Sequence, residues 1–176
     1  MASITLHCPS ILGFKSWYVR QLLHPPNNST NLKENHPLLT PIFLTVQAKR
    51  YTKDHEWIEL SEDEKTATIG ISEYAAHALG DVVYVELPTV PMEVGAGDSI
   101  GAVESVKSAS DINAPITCTV VAVNELLEEK PGTINKGPED DSSAGGWVAK
   151  VEVGEVGVKD LEALMDAKAY KAFTEE

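Results

Sequence analysis

At 176 residues and a formal net charge of −13, the chain is long enough for one domain with a real core and short for two. So acidic a protein is no nucleic-acid binder, because it would repel phosphates. No apolar run reaches the roughly 18 residues that a bilayer span needs.

The charge is unevenly placed. Of the 14 basic and 27 acidic side chains, residues 1–50 hold Lys15, Arg20, Lys33, Lys49 and Arg50 but only one acid, Glu34. A basic head on an acidic body implies two parts with different purposes. Residues 1–50 are poor in acids, contain Ser, Thr and Asn, and end in Lys49-Arg50. They read as a disordered mitochondrial targeting presequence, cut near Arg50 and addressed to the matrix. Pro25-Pro26 and Pro41 would interrupt a long amphipathic helix there. The acidic body would either attract basic patches on partners through a field that weakens in salt, or do no more than keep the protein in solution.

From Tyr51 the pattern turns to short alternating runs. Glu56–Leu60 and Thr66–Ile71 alternate polar and apolar residues around the polar turn 61–65, as a hairpin should. Ser72 is placed to cap a helix over Glu73–Leu79, and Gly80 to end it. Asp81–Leu87 is strand-like and stops at Pro88. Ser99–Val103 reads as a strand, 111–115 as extended, and Thr117–Val123 as another β-branched run. Residues 124–141 look polar and irregular, and 141–146 form a flexible loop. Trp147–Val153 alternates. The tail is helical, with Asp160 as a cap and Leu161, Leu164, Met165, Ala169 and Phe173 as a core-facing stripe. Two Gly-Asp turns, Gly80-Asp81 and Gly97-Asp98, each feed a strand ending Val-Glu, which hints at two similar halves. Many short strands with frequent turns predict a mainly β domain, a sandwich or a small barrel.

No catalytic constellation is visible. His55 and His77 lack a nucleophile elbow, and Gly95-Ala-Gly97 with Gly101 does not have dinucleotide spacing. Cys8 and Cys118 fall one in each part, so they form no disulfide framework, and no His/Cys cluster has metal-ligand spacing. The absence points to a carrier or binding module. Lys107, in Glu104-Ser-Val-Lys-Ser-Ala-Ser-Asp111, sits among small residues at a turn between two strands. Such a turn could display an amine for attachment, although an isolated exposed lysine is usually an unmodified surface charge. An amide there would abolish the charge and lengthen the stem into a tethered arm.

Residues from Tyr51 to about Glu175 resemble the H proteins of the glycine cleavage system. The resemblance rests on Tyr51-Thr-Lys-Asp-His-Glu-Trp57, Gly70-Ile-Ser72, Leu79–Pro88, Ala96-Gly-Asp98, Glu104–Asp111, Asn124, Gly146-Trp147 and the closing Ala167–Phe173. It implies a carrier domain over 51–176. The implied fold is a sandwich of two small antiparallel sheets with a few short helices, including C-terminal ones, and with the lysine at a hairpin tip. It implies that the protein is no enzyme in its own right, and that lipoic acid is amide-linked to Lys107. The implied partners are a pyridoxal-phosphate glycine decarboxylase, which loads the aminomethyl group of glycine, and a tetrahydrofolate-dependent aminomethyltransferase. Dihydrolipoamide dehydrogenase reoxidises the arm, and a lipoylating enzyme attaches it. Between encounters the protein is expected to be a monomer. The resemblance gives Glu104 a part in recognition by the lipoylating enzyme, and Glu56 and Asp111 contacts with the arm when it folds back into a surface cleft. His55 is expected to be structural, and Trp57 and Trp147 core. Two rivals are an H-like lipoyl donor for other complexes and an unmodified H-like binding module.

Two departures from the family pattern stand out. Pro115-Ile-Thr-Cys118 has cysteine where the family has glycine, which would strain the backbone if that position needs a positive φ. Residues 139–145 lengthen the link before Gly146-Trp147 and read as a surface loop insertion.

Overall fold

The computed structural model describes residues 48–175, so the presequence expected over 1–50 lies almost wholly outside the described residues. Among the described residues, ten strands and five helices follow in chain order. The strands are β1 (Arg50–Tyr51), β2 (Glu56–Leu60), β3 (Thr66–Ile71), β4 (Val82–Glu86), β5 (Met92–Val94), β6 (Ser99–Ser105), β7 (Ala109–Asn113), β8 (Cys118–Val123), β9 (Ala149–Val153) and β10 (Met165–Asp166). The helices are α1 (Glu73–Leu79), α2 (Leu126–Glu129), α3 (Thr133–Lys136), α4 (Glu155–Glu162) and α5 (Ala167–Thr174).

The strands form two antiparallel sheets, as the resemblance implies, but of unequal size. One has seven strands in the order β10-β1-β2-β3-β9-β8-β5, and the other three in the order β4-β6-β7. Between them lies the main core, where Ile58, Ile69, Val120 and Val151 of the large sheet meet Val85, Val103 and Ile112 of the small one. Burial of such side chains is worth about 1.5–3 kcal/mol each. A second, aromatic cluster covers the other face of the large sheet: Tyr51, Trp57, Trp147 and Tyr170, with Met165 against them. Strand β2 is therefore buried on both faces, with Trp57 and Ile58 both at 0% exposure. Trp57 lies opposite Gly70 in β3. A Cβ at Gly70 would come within 2.8 Å of the Trp57 Nε1 atom, so the glycine makes room for the indole.

Helix α1 starts and stops where the sequence says. The Ser72 hydroxyl accepts from the Ala75 N–H, and Gly80 closes the helix with φ 77° and ψ −151°. The Gly-Asp echo has a real basis. Gly80 and Gly97 both have positive φ, and the strands they precede, β4 and β6, are neighbours with Val85 opposite Val103.

Elsewhere the structure differs from the sequence reading. The stretch 124–141 holds two one-turn helices, each too short to show a periodicity, anchored by buried Leu127 and Ile134. The tail is not one helix. Leu164 packs on the main core and Met165 on the aromatic cluster, and this change of face is made by the short strand β10. Asp160 does not cap a helix but lies within α4, where its Oδ2 accepts from the Thr117 N–H at 2.9 Å. That bond holds its carboxyl below the usual range. Phe173 is 40% exposed, so the tail stripe is only partly core.

The longer link at 139–145 is exposed in its middle but fixed at both ends. Glu139 accepts from the Tyr51 hydroxyl at 2.8 Å and from the Glu73 N–H, at the start of α1, at 3.0 Å. Burial, with that carboxylate beside it, pushes the Tyr51 phenol well above its ordinary value. The Ser142 carbonyl accepts from the Trp147 indole at 2.9 Å.

Cys118 opens β8 between Val94 and Val153. Among the described non-glycine residues only His55 and Glu64 have positive φ, so Cys118 carries no left-handed strain, and the site asks only for a side chain that fits the core. Burial pushes its thiol up to about 11. A thiol with a raised pKa keeps its proton in the folded state after the unfolded chain, near 8.5, has lost it. Its stabilising contribution is complete below pH 8.5 and is lost as the pH climbs toward 11. Urea unfolding at pH 8, 9 and 10 should show a stability that falls with pH, with a shallower fall in Cys118→Ala. Equal slopes in the two proteins would contradict the assignment.

Candidate functional site

Lys107 occupies the tip of the β6–β7 hairpin, and local bonds fix its backbone. The Ser105 N–H donates to the Ser108 carbonyl at 2.7 Å. The Ser105 hydroxyl oxygen accepts from the N–H groups of Lys107 (3.3 Å) and Ser108 (3.1 Å). The Val106 N–H donates to the Asp81 carbonyl at 3.2 Å, which ties the tip to the start of β4. Lys107 is exposed and Val106 is 78% exposed. None of the hydrogen bonds found among the described residues uses the lysine amine.

The stem of Lys107 crosses Gly80. Its Cε lies 2.9 Å, and its Nζ 3.4 Å, from where a Cβ on Gly80 would be. The sequence marks Gly80 only as a helix stop; the structure adds that its bare Cα leaves the corridor for the lysine. Gly80 and Asp81 also form part of the rim of a cleft of about 720 Å³ walled by α1, α3 and α5.

The register of the small sheet places the other expected residues. Glu104 lies opposite Tyr84 and Ala109, and Asp111 opposite Ala102, which is in turn opposite Glu86. With Val85, Val103 and Ile112 facing the core, Tyr84, Glu86, Glu104 and Asp111 share the outward face below the lysine. Glu104 and Asp111 are both exposed. A bulge between Val82 and Tyr84 leaves Val83 and Tyr84 each 52% exposed.

Glu56 is not beside them on that face. It is 2% exposed, because it shares the inward side of β2 with Ile58. One carboxylate oxygen accepts from the Asn113 N–H at 3.0 Å, and the other from the Thr52 hydroxyl. Glu56 thus joins the start of β2 to the end of β7, across the two sheets. It lines a smaller cleft, of about 360 Å³, with Thr52, Asn113 and Pro115, and Lys107 does not line that cleft.

His55 is structural. It holds φ 74°, its carbonyl accepts from the Ser72 N–H, and its Nδ1 lies 2.8 Å from the Tyr170 hydroxyl. That hydroxyl also meets Ser72 Oγ at 2.7 Å. The sequence gives no sign of Asn135, whose carboxamide contacts both residues flanking Asp81, because its partners lie more than 50 positions away.

Residues 49–176 match the family model described as Glycine cleavage H-protein. The chain is 53% identical over 124 residues to the glycine cleavage system H protein of Phenylobacterium zucineum, covering 70% of this chain and 96% of the relative. It is 49% identical over 126 residues to the mitochondrial H protein of Saccharomyces cerevisiae, covering 71% of each. A crystal structure of the Mycobacterium marinum H protein superposes with a TM-score of 0.61 at 36% identity, covering 74% of this chain and 98% of that one. A hairpin that displays a lysine on two antiparallel sheets is thus joined to close relatives along nearly the whole described domain, and the chain belongs to the glycine cleavage H-protein family, a carrier rather than a catalyst.

Proposed function

We propose that Lys107 carries lipoic acid in amide linkage, and that this arm shuttles the aminomethyl group of glycine within the glycine cleavage system. The observation that supports it is the hairpin tip: an exposed amine on a hydrogen-bonded backbone, with Ser105, Ser108 and Ala109 around it and its stem lodged on Gly80. The residues fit such a group, because the lysine is exposed at the tip and its serine and alanine neighbours are small. The chemistry supplied by a bound lipoyl group is acceptance of the aminomethyl unit at glycine decarboxylase, its release at the aminomethyltransferase, and reoxidation at dihydrolipoamide dehydrogenase. The chain's own part is to hold the arm at a fixed origin, which raises its effective concentration at each partner.

Glu104, exposed at the strand end before the tip, contributes to recognition by the lipoylating enzyme. Glu56 and Asp111 contact the arm when it folds back. Residues 1–50 act as a mitochondrial presequence leading to the matrix, and 51–176 as the carrier domain. The mitochondrial yeast relative and the basic head support that reading.

Intact mass of the protein from its native source tests attachment and cleavage together. One lipoyl group on Lys107 is expected, on a chain that begins near residue 50; unmodified Lys107 would sink the carrier reading there. Exchange of labelled bicarbonate into glycine, with glycine decarboxylase added, then tests the client. No exchange by the lipoylated protein would point to a donor for other complexes.

The two roles of Glu56 separate by substitution. Glu56→Ala leaves the half-buried Asn113 N–H without its partner and should cost about 1–3 kcal/mol in urea unfolding. Glu56→Gln keeps an acceptor and should stay within about 1 kcal/mol, yet shorten the lifetime of the aminomethyl-loaded protein. An unchanged lifetime would leave Glu56 as a clamp between the sheets only.

A further inference from the structure

The seat of Lys107 is built by a residue distant in sequence. Asn135 projects from α3, which is anchored by Ile134 at 0% exposure. Its Nδ2 donates to the Gly80 carbonyl at 2.7 Å, and its Oδ1 accepts from the Val82 N–H at 2.9 Å. One carboxamide thus spans Asp81 as a neighbouring strand would, and it alone among side-chain groups of this size can donate and accept in one plane. Asp81, held between these anchors, turns its carbonyl to the Val106 N–H at 3.2 Å. Gly80 is held at φ 77° and ψ −151°, a conformation essentially closed to other residues. Its bare Cα is where the Lys107 stem rests.

We infer that Asn135 is a positioning residue for acylation of Lys107: it fixes Gly80–Val82, and through them both the backbone and the stem of the lysine. The inference rests on Lys107 as the attachment residue. In the reaction, the neutral amine attacks the carbonyl carbon of a lipoyl adenylate. A C–N bond forms as the C–O bond to AMP breaks, and the amine proton leaves to solvent. A lysine has four rotatable stem bonds, so a seat that removes part of that freedom brings the amine nearer to attack geometry.

Asn135→Asp keeps size and shape but sets a second acceptor against the Gly80 carbonyl. The apo full-length chain is lipoylated with lipoate, ATP and a lipoate–protein ligase, at a temperature where circular dichroism shows both proteins folded. We expect kcat to fall roughly tenfold with little change in KM, since a misplaced reacting group can cost up to 10²-fold. Exchange of the Val82 amide hydrogen should quicken. Trp57→Phe, which weakens the fold away from the hairpin, should leave kcat unchanged. Should Asn135→Asp fail to fold, Asn135→Ala gives the same test, because it removes both bonds and leaves Gly80 and the lysine corridor untouched. Wild-type kcat in the folded variant overturns the inference. Lipoylation of the wild type anywhere other than Lys107, read by peptide mapping, overturns the attachment assignment instead.

Discussion

Lys107→Arg should abolish carrier function and leave the fold unchanged. Arginine keeps the positive charge and a similar stem, but its guanidinium stays protonated and offers no amine to acylate. The tip is held by Ser105, Ser108 and the Asp81 carbonyl, all through backbone groups or serine hydroxyls. The lysine head therefore carries no part of the structure, and the change should alter stability by no more than about 0.5 kcal/mol. Two measurements check this. Protein co-expressed with the lipoylating enzyme should show no lipoyl increment in intact mass, and bicarbonate–glycine exchange should stay at background. Exchange at the wild-type rate would refute the assignment of the carrier lysine.

The largest loss of stability should come from Trp57→Ala. Trp57 is fully buried in the aromatic cluster with Tyr51, Trp147 and Tyr170. Its indole N–H donates to the Pro138 carbonyl at 3.0 Å, and Lys49 Nζ sits 4.9 Å from the ring centroid. Truncating a buried aromatic costs about 3–5 kcal/mol. Trp57→Phe retains most of the packing but orphans the Pro138 carbonyl, and should cost roughly 1–3 kcal/mol. Urea midpoints at unchanged m-value report both. A loss below about 1 kcal/mol in Trp57→Ala would mean that the aromatic face contributes little. The folded fraction should still be lipoylated at the wild-type rate, because the cluster and the hairpin belong to different faces of the sandwich.

What could be read in advance follows from the range of the interactions. The β2–β3 hairpin, the Ser72–Gly80 frame of α1 and the turn at Lys107 depend on residues within a few positions of one another, and their patterns are visible locally. The one-turn helices α2 and α3 are held by Leu127 and Ile134 reaching the core, and no period emerges from four residues. The burial of Glu56 was hidden for a related reason. Glu56 shares the core-facing side of β2 with Ile58, and the N–H that donates to its carboxylate there, that of Asn113, lies 57 positions away. The lysine of the site was legible from its neighbours and the family motifs. Its support was not: Gly80 displays only a helix stop, and Asn135 acts through bonds to residues 53 and 55 positions earlier. The cysteine at 118 looked hazardous because glycine is the family habit there, and the backbone shows an ordinary strand.

The pairing of β1 with β10 bears on how the chain comes together in time. Arg50 lies opposite Asp166, Tyr51 stacks on Tyr170 at 4.3 Å, and His55 bonds the Tyr170 hydroxyl across 115 positions. The first strand of the domain is therefore completed by its last helix. As the ribosome delivers the chain from the N-terminus, the hairpins can form early and β1 can pair with β2, but the outer edge of β1 must wait for β10, and such distant pairing slows closure. Until then the outer edge of the strand bearing Arg50 has no neighbouring strand. Once β10 pairs, that same strand lies between two neighbours in the sheet.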